Sequence, residues 1–589
     1  MSNPPKEDTV RAAGARDALD VVMRYHQETK HHFFRYARAP GYMDWANQPD
    51  PFRRYDGSPL RALPHLKPDD APVSPLYQDL YRGQLSVSGP VTVRSLSRFF
   101  EYSLAISAWK QAGDVRWALR TNPSSGNLHP TEGYLLIDGV AHLSPFPGVY
   151  HYASNEHGLE LRAELPQASF DSLMRELPPN AFLVAFTSVH WRETWKYGER
   201  AFRYCQHDAG HAIGSARVAA QALGWRMLLL DGVSDDAVAA LLGIDRAEDF
   251  EGAEPEHPDC FAVVWPADQA TGVAAGQPVA LPLSFPADAV RNLARCRWHG
   301  KANRLSRDDP VPWEILEQVE VASWKASTER RSVELNHVGP GVENLIDPGA
   351  RPTSLHPNQT RAGQVIRQRR SALAFDGKTS ISIRCFFTML TRVMPWADRD
   401  VCKRPMPWDA LPWQPSIHLA LFVHRVEGLV PGLYMLARYR EKVDSLKRAM
   451  HQAYAWTAPP GCPTDLPLFL LEEGDVRPLA TELSCRQDIA GDGAFSLGMI
   501  AEYESSLRRH GPWFYRRLFW ETGVIGQVLY LEAEAAGVRA TGIGCFFDDP
   551  VHQVMGFNDA TFQSLYHFTI GGQVDDPRLT TLPPYGLDH

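Results

Sequence analysis

One stretch of this chain occurs twice. Residues 181–244 align without a gap on residues 494–557, at a constant offset of 313. Thirteen of the 64 positions are identical, eight of them in the last 25, among them Gly210 with Gly523, Arg203 with Arg516 and Asp235-Asp236 with Asp548-Asp549. Unrelated chains would share roughly one residue in fifteen, so a spacing this strict points to internal duplication. A chain of 589 residues is also too long for a single core. The repeat therefore sets the architecture before any local pattern is read: two like domains, unequal in detail, with one functional site assembled between them.

The second inference is about class. Apolar content of 44% and charged content of 22% are ordinary for globular protein. A net charge of -9 with no long basic run gives no argument for nucleic acid. The opening MSNPPKEDTVRAAGARDALD lacks the apolar stretch of a signal peptide, and no window approaches 18 consecutive apolar residues. The expectation is a soluble, cytoplasmic protein without membrane contact. Eight cysteines lie far apart with no C-x-x-C pair, which argues against a zinc site or a disulfide framework and fits a reducing compartment. Cys545, after a glycine turn, is read as a small buried apolar residue, with reactivity as the other possibility.

Along the chain, residues 1–70 form an aromatic-rich extension that wraps a domain and holds no complete helix–strand unit. The first domain runs over 71–275, a connecting arm over 276–360, and the second domain over 361–589. Apolar spacing predicts a helix from Val93 to Trp109, then paired strands Gly133–Ile137 and Val149–Tyr152, matched in the second domain by His418–Val423 and Pro431–Tyr434. The repeated block reads as strand (182–188), long helix (201–223), a strand or turn, and a short helix. One amphipathic helix is expected in the arm, near 313–324.

Three motifs carry chemistry, each present in one copy. Arg369, Arg370 and Ser371 stand just before a helix, where two guanidiniums and a hydroxyl would make a dianion site. An offset of 290 sets Asp79-Leu80-Tyr81 opposite them, so the first copy has lost the clamp. The first copy instead carries Pro123-Ser124-Ser125-Gly126-Asn127, a small polar loop that can approach a flat heterocycle. Trp408 to Gln414 stand there in the second copy. Gly542-Ile543-Gly544 frees backbone amides for ligand contact, whereas Leu229, Leu230 and Asp231 replace it in the first copy. The spacing is not that of a dinucleotide turn, so no Rossmann domain follows. Histidines 129, 207 and 211 read as core residues, and no cluster has metal spacing, so no metal is expected.

The PSSGN loop, the RRS triplet and the late GIG turn resemble the FMN-binding elements of nitroreductase-like flavoproteins. Glu193-Thr-Trp195-Lys196-Tyr197-Gly198 and Pro-Gly-Val-Tyr-His-Tyr are similar to one branch, the SagB/ThcOx-type dehydrogenases that oxidise azoline rings in modified peptides. The resemblance covers about 75–589 and implies an α+β fold: two nitroreductase-like domains, each a mixed central sheet flanked by helices, forming an intramolecular pseudo-dimer. It implies FMN held by Arg369, Arg370 and Ser371 at the phosphate and ribityl chain, by amides of Gly542, Ile543 and Gly544 at the ring, and by Arg578 as a second phosphate ligand. Pro123, Ser124, Ser125 and Asn127 come from the other half. Lys196 and Tyr197 would be the catalytic base and its support, where the second copy has Arg509-His510. The implied activity is an FMN-dependent dehydrogenase that passes hydride from a small-molecule or modified-peptide substrate to flavin and then to oxygen, alongside possible biosynthetic partner enzymes. An NAD(P)H-driven nitro, quinone or enone reductase and a non-catalytic peptide-binding scaffold are the alternatives. One FMN per chain and a monomeric particle are expected.

Overall fold

Two sheets with the same strand order frame the molecule. The computed structural model describes residues 6–82, 88–267, 279–286, 288–290, 296–335, 360–396 and 401–586. The first body contains β1 (Leu60–Ala62), β2 (Ile106–Ala112), β3 (Val115–Arg120), β4 (Thr131–Ile137), β5 (Gly148–Ala153), β6 (Gly158–Glu164), β7 (Phe182–Ser188), β8 (Trp225–Leu229) and β9 (His257–Pro266). The second contains β10 (Ile417–Val423), β11 (Gly432–Leu436), β12 (Leu468–Glu473), β13 (Phe495–Glu502), β14 (Arg539–Ile543), β15 (Phe562–Gly571) and β16 (Thr580–Leu582). The first sheet runs β1-β6-β5-β4-β7-β9-β8 and the second β12-β11-β10-β13-β15-β14. Apart from β1, the two orders correspond strand for strand. β7, an almost unbroken apolar run, is buried at every position and sits mid-sheet, as a strand covered on both faces must. Among the described residues every ladder in these two sheets is antiparallel. The expected α+β architecture stands, but its sheets are not mixed, because neighbouring strands are joined by hairpins or by returning helices.

The helices are α1 (Lys6–Glu28), α2 (Val93–Ser103), α3 (His190–Tyr197), α4 (Ala201–Ala222), α5 (Asp235–Leu242), α6 (Glu314–Ala322), α7 (Ala362–Gln368), α8 (Ile383–Arg392), α9 (Tyr503–His510), α10 (Phe514–Ala535) and α11 (Asp548–Met555), beside shorter ones. The long helices α4 and α10 lie between the sheets, and one apolar core runs from sheet to sheet through them. Separate apolar clusters cover the outer faces of the two sheets. The crossing is tight because both helices carry glycine where they touch. A Cβ on Gly210 would stand 2.4 Å from the Trp520 carbonyl oxygen, and one on Gly523 would stand 2.3 Å from that of His207. These glycines are themselves partners at the offset of 313, so the crossing lies on the pseudo-twofold axis.

Several expectations need correction. The helix from Val93 ends at Ser103 rather than Trp109: the amides of Leu104 and Ala105 both turn back to the Phe100 carbonyl. Ile106 to Ala112 then pairs with β3 and, on its other edge, with the C-terminal strand β16. The N-terminal extension is not free of regular structure. It holds α1, and β1 adds to the first sheet. Tyr25 in α1 donates to the Glu199 carbonyl at 2.7 Å, and His26 meets the Tyr515 hydroxyl at 3.2 Å, so this helix touches both bodies. The arm contains α6 as expected, while residues 336–359, with the prolines at 340, 348, 352 and 357, lie outside the described residues. No described helix is long and apolar enough to cross a membrane.

Candidate active site

Two faces flank the pseudo-twofold axis, and they are filled differently. Arg203 of α4 donates to Asp548 of the second body at 2.9 Å, and its repeat partner Arg516 of α10 makes the matching ion pair with Asp235 of the first. The next pair along breaks the symmetry. On one face Arg517 bonds Asp231 at 2.9 Å, both side chains buried. On the other face the partners of these residues are Tyr204 and Gly544, and the tyrosine ring lies directly over the glycine. One face is closed by a buried salt bridge; the other presents an aromatic ring, half-exposed polar groups and the glycine-bearing end of β14, where Gly542 and Ile543 are paired strand residues rather than the expected turn.

The open face draws on both bodies. Arg369 and Arg370 leave the end of α7: Arg369 is that helix's C-terminal cap, and the next long helix begins only at Ile383. The expected position before a helix is therefore corrected. No helix N-terminus assists here; instead Ser371 bridges to Ala540 of β14. Arg369 donates to the carbonyls of Arg120 and Thr121 at 2.9 and 3.2 Å, and Arg370 donates to that of Ser107 at 3.1 Å, all in the first body. Among the described residues neither guanidinium has a carboxylate partner, and one terminal nitrogen of Arg369, a residue 3% exposed whose guanidinium lies 5.0 Å from the centre of the Tyr530 ring, has no hydrogen-bond partner. Burial pushes Arg369 down to about 10; burial and the neighbouring Arg369 push Arg370 down to about 9. A buried cation next to a half-buried one, with no counter-charge, is costly. A phosphate dianion would offset both, so the residues present fit the phosphate end of the flavin nucleotide that the resemblance implies.

Tyrosines shape the remainder. The Tyr530 hydroxyl accepts from the Gly542 amide and meets the Ser371 hydroxyl, both at 2.9 Å, joining two of the predicted motifs. A Cβ on Gly542 would stand 1.9 Å from the Tyr566 hydroxyl, and one on Gly544 would stand 2.1 Å from the Tyr204 ring. Only glycine permits these approaches. Ile543 between them is buried. His207 stacks on Tyr566 with ring centres 4.1 Å apart, and His211 reaches the Tyr566 hydroxyl at 3.2 Å. Flat rings beside bare backbone suit a planar heterocycle.

The loop 123–127 faces this wall from the first body. Gly126 and Asn127 both adopt positive φ. Asp208 of α4 anchors the loop, accepting from the Ser125 amide and hydroxyl at 3.0 Å. Ser124 accepts from the His129 amide, Asn127 donates to the Ala118 carbonyl, and Pro123 is buried. A Cβ on Gly126 would stand 2.5 Å from the Tyr197 hydroxyl and 3.1 Å from the Lys196 ammonium nitrogen. Lys196 and Tyr197, half-buried at the end of α3, thus touch the loop, and the Tyr197 ring meets Tyr204 at 4.4 Å. Beneath them Glu193 is buried, and both its carboxyl oxygens lack hydrogen-bond partners. Burial and then Asp208 raise its carboxyl well above the usual carboxylate range, while the neighbouring Lys196 opposes them.

Arg578 stands apart: its side chain is 85% exposed and bonds only Asp576. Among the described residues one set brings possible metal ligands together, His190, His257 and Glu320. The two imidazoles stack 4.0 Å apart with planes 4° from parallel, and the three candidate ligand atoms lie within 4.8 Å of one another. The His257 Nδ1 hydrogen-bonds the Glu320 carboxylate, while His190 Nδ1 lies 3.6 Å from it without a hydrogen bond.

Sequence reasoning missed the lining residues Tyr204, Asp208, Tyr530 and Tyr566. A signal existed for two of them: Tyr204, His207, Asp208 and His211 recur at i, i+3, i+4 and i+7 on a helix otherwise rich in Ala and Gly, a polar stripe in a buried element. Tyr530 and Tyr566 carry no such signal.

Residues 110–253, which include the 123–127 loop and the Lys196-Tyr197 pair, match the Nitroreductase family model. "Putative nitroreductase MJ1384" of Methanocaldococcus jannaschii is 26% identical over 163 residues, 27% of this chain and 77% of that protein. A crystal structure described as a putative nitroreductase from Anabaena variabilis aligns over 94% of this chain and 99% of its own, at 21% identity and a TM-score of 0.64. The chain thus has a nitroreductase-like fold extending through both bodies, with residues 110–253 matching the family model directly.

Proposed function

We propose that this protein is an FMN-dependent oxidoreductase with one flavin site, built on the open face between two bodies that arose by tandem duplication. The observation that carries this reading is the pair of buried Arg369 and half-buried Arg370, side by side without a carboxylate and inserted against the first body. Arg369, Arg370 and Ser371 would hold the phosphate and ribityl chain. Gly542 to Gly544, with the loop 123–127 opposite, would hold the ring. When bound, FMN supplies a two-electron acceptor. The chain's own task is to orient a substrate beside it and to take up a proton, and Lys196, braced by Tyr197 against Gly126, is the group placed for that.

On this reading the substrate donates hydride, as the Lys-Tyr pair of azoline-oxidising dehydrogenases suggests. The names of the relatives favour a second reading, reduction of nitro or similar compounds by NAD(P)H. Purified protein reconstituted with excess FMN should show flavin absorption near one equivalent per chain; a colourless product would overturn the proposal. Anaerobic addition of NADPH separates the two activities: rapid bleaching supports the reductase, and a flavin left oxidised supports the dehydrogenase.

A further inference from the structure

Immediately after Gly544, Cys545 places its sulfur 2.7 Å from that of Cys485. The two residues belong to separate segments that are clamped together. Phe547 donates its amide to the Leu483 carbonyl at 2.8 Å, and the Gln487 side chain donates to the carbonyls of Ser484 and Cys545 at 2.8 and 3.0 Å. Cys485 and Arg486 follow the helix Arg477–Leu483 with φ of +54° and +59°. Two consecutive side-chain-bearing residues in the left-handed region are uncommon. Here they turn the chain so that Cys485 points back at Cys545. Both cysteines are half-buried, whereas Cys205 and Cys260 are fully enclosed.

The surroundings favour a thiolate at Cys545. The His31 ring bonds its sulfur, and the Nδ1 of that ring already accepts from the Ala37 amide at 3.0 Å, so the nitrogen facing sulfur carries the hydrogen. Arg200 reaches the Gly544 carbonyl at 3.2 Å and lies beside the pair. The hydrogen bond from Cys485, and after it that from His31, bring the Cys545 thiol down to about 5 although burial opposes this. The other charged or titratable groups facing the pair are Tyr36, Tyr197, Tyr204, Arg486 and Asp548.

We propose that Cys485 and Cys545 form a thiol–disulfide exchange site that takes low-molecular-weight disulfides. The Cys545 thiolate attacks one sulfur of the disulfide, forming a mixed disulfide and expelling one thiolate. The Cys485 thiol, losing its proton to water, then attacks the Cys545 sulfur and expels the second. The balance is two protein thiols and one small disulfide giving one protein disulfide and two small thiols. A disulfide needs a sulfur separation of about 2.05 Å, and the two sulfurs already stand 2.7 Å apart. The inference rests on this geometry alone and is independent of flavin.

The test uses the full chain, fully reduced and freed of reductant, then incubated with oxidised glutathione. After acid quenching, peptide mapping should find a Cys485–Cys545 cross-link, with two of the eight cysteines lost and two equivalents of glutathione released. The Cys485→Ser variant should accumulate a glutathione adduct at Cys545, formed at least tenfold faster than at any other cysteine. Eight free thiols after incubation would overturn the proposal, and so would a wild-type adduct that persists at Cys545 beside a free Cys485. Because the cross-link is sought in wild-type protein, a variant that fails to fold leaves the test intact.

Discussion

Arg370 meets only carbonyl oxygens, so its value to the folded chain is low and its value to a bound dianion is high. Arg370→Ala should weaken FMN binding by about 1.5–3 kcal/mol, roughly 10- to 150-fold, in a fluorescence titration, with the far-ultraviolet dichroism unchanged. The Lys196-Tyr197 pair makes the opposite prediction. Lys196→Ala with Tyr197→Phe should abolish turnover while leaving the flavin spectrum and affinity nearly as they were; retained turnover would assign the pair to the scaffold. Asp208 supplies a pH signature. Burial raises its carboxyl from 3.8 to about 7. The folded state therefore binds a proton that the unfolded state has already released, and stability falls as pH climbs from about 4 to about 7. Asp208→Asn should flatten that part of the melting-temperature profile, and an unchanged slope would show that Asp208 is ionised in the folded protein.

At the scale of elements, the crossing of α4 and α10 governs how close the two bodies come. Gly210→Ala places a methyl against the Trp520 backbone and should cost about 1–3 kcal/mol, read as a lower denaturant midpoint. Gly41→Ala, where nothing lies within 4 Å, is the matched control. These elements were also the ones most legible in sequence. Strand pairs such as Gly133–Ile137 with Val149–Tyr152 announce themselves by apolar runs around a Pro-Gly turn, and within 181–244 the constant offset of 313 transfers strand and helix assignments to the other copy. Legibility fails where the deciding contact is remote. Basic residues and a hydroxyl such as Arg369 to Ser371 fit either end of a helix, and only the remote pairing of Ser371 with Ala540 distinguishes the two. Tyr530 and Tyr566 line the candidate site through contacts with Ser371 and Gly542 that no spacing rule encodes. The helix at Lys6–Glu28 escaped because its residues alternate charge and alanine without a marked apolar stripe.

For the whole molecule, the unequal faces bear on stoichiometry. On the closed face the buried Arg517–Asp231 pair fills the place that Tyr204 and Gly544 leave open on the other. Flavin should saturate at one per chain. Arg370→Ala and Asn127→Ala, in different bodies, should each weaken that same single site, and light scattering should find one chain per particle with flavin retained. Two flavins per chain would refute this arrangement. The ends of the chain add a further consequence. Lys30, just beyond α1, pairs with Asp549 of the second body at 2.8 Å, while β16, from the far end, extends the β2–β3 sheet of the first. Each terminus thus completes the surface of the body to which it does not belong, so the loss of either body strips a covering element from the other. The protein should melt in one cooperative step, with calorimetric and van't Hoff enthalpies in agreement, although a chain of 589 residues with two sheets would ordinarily unfold in stages.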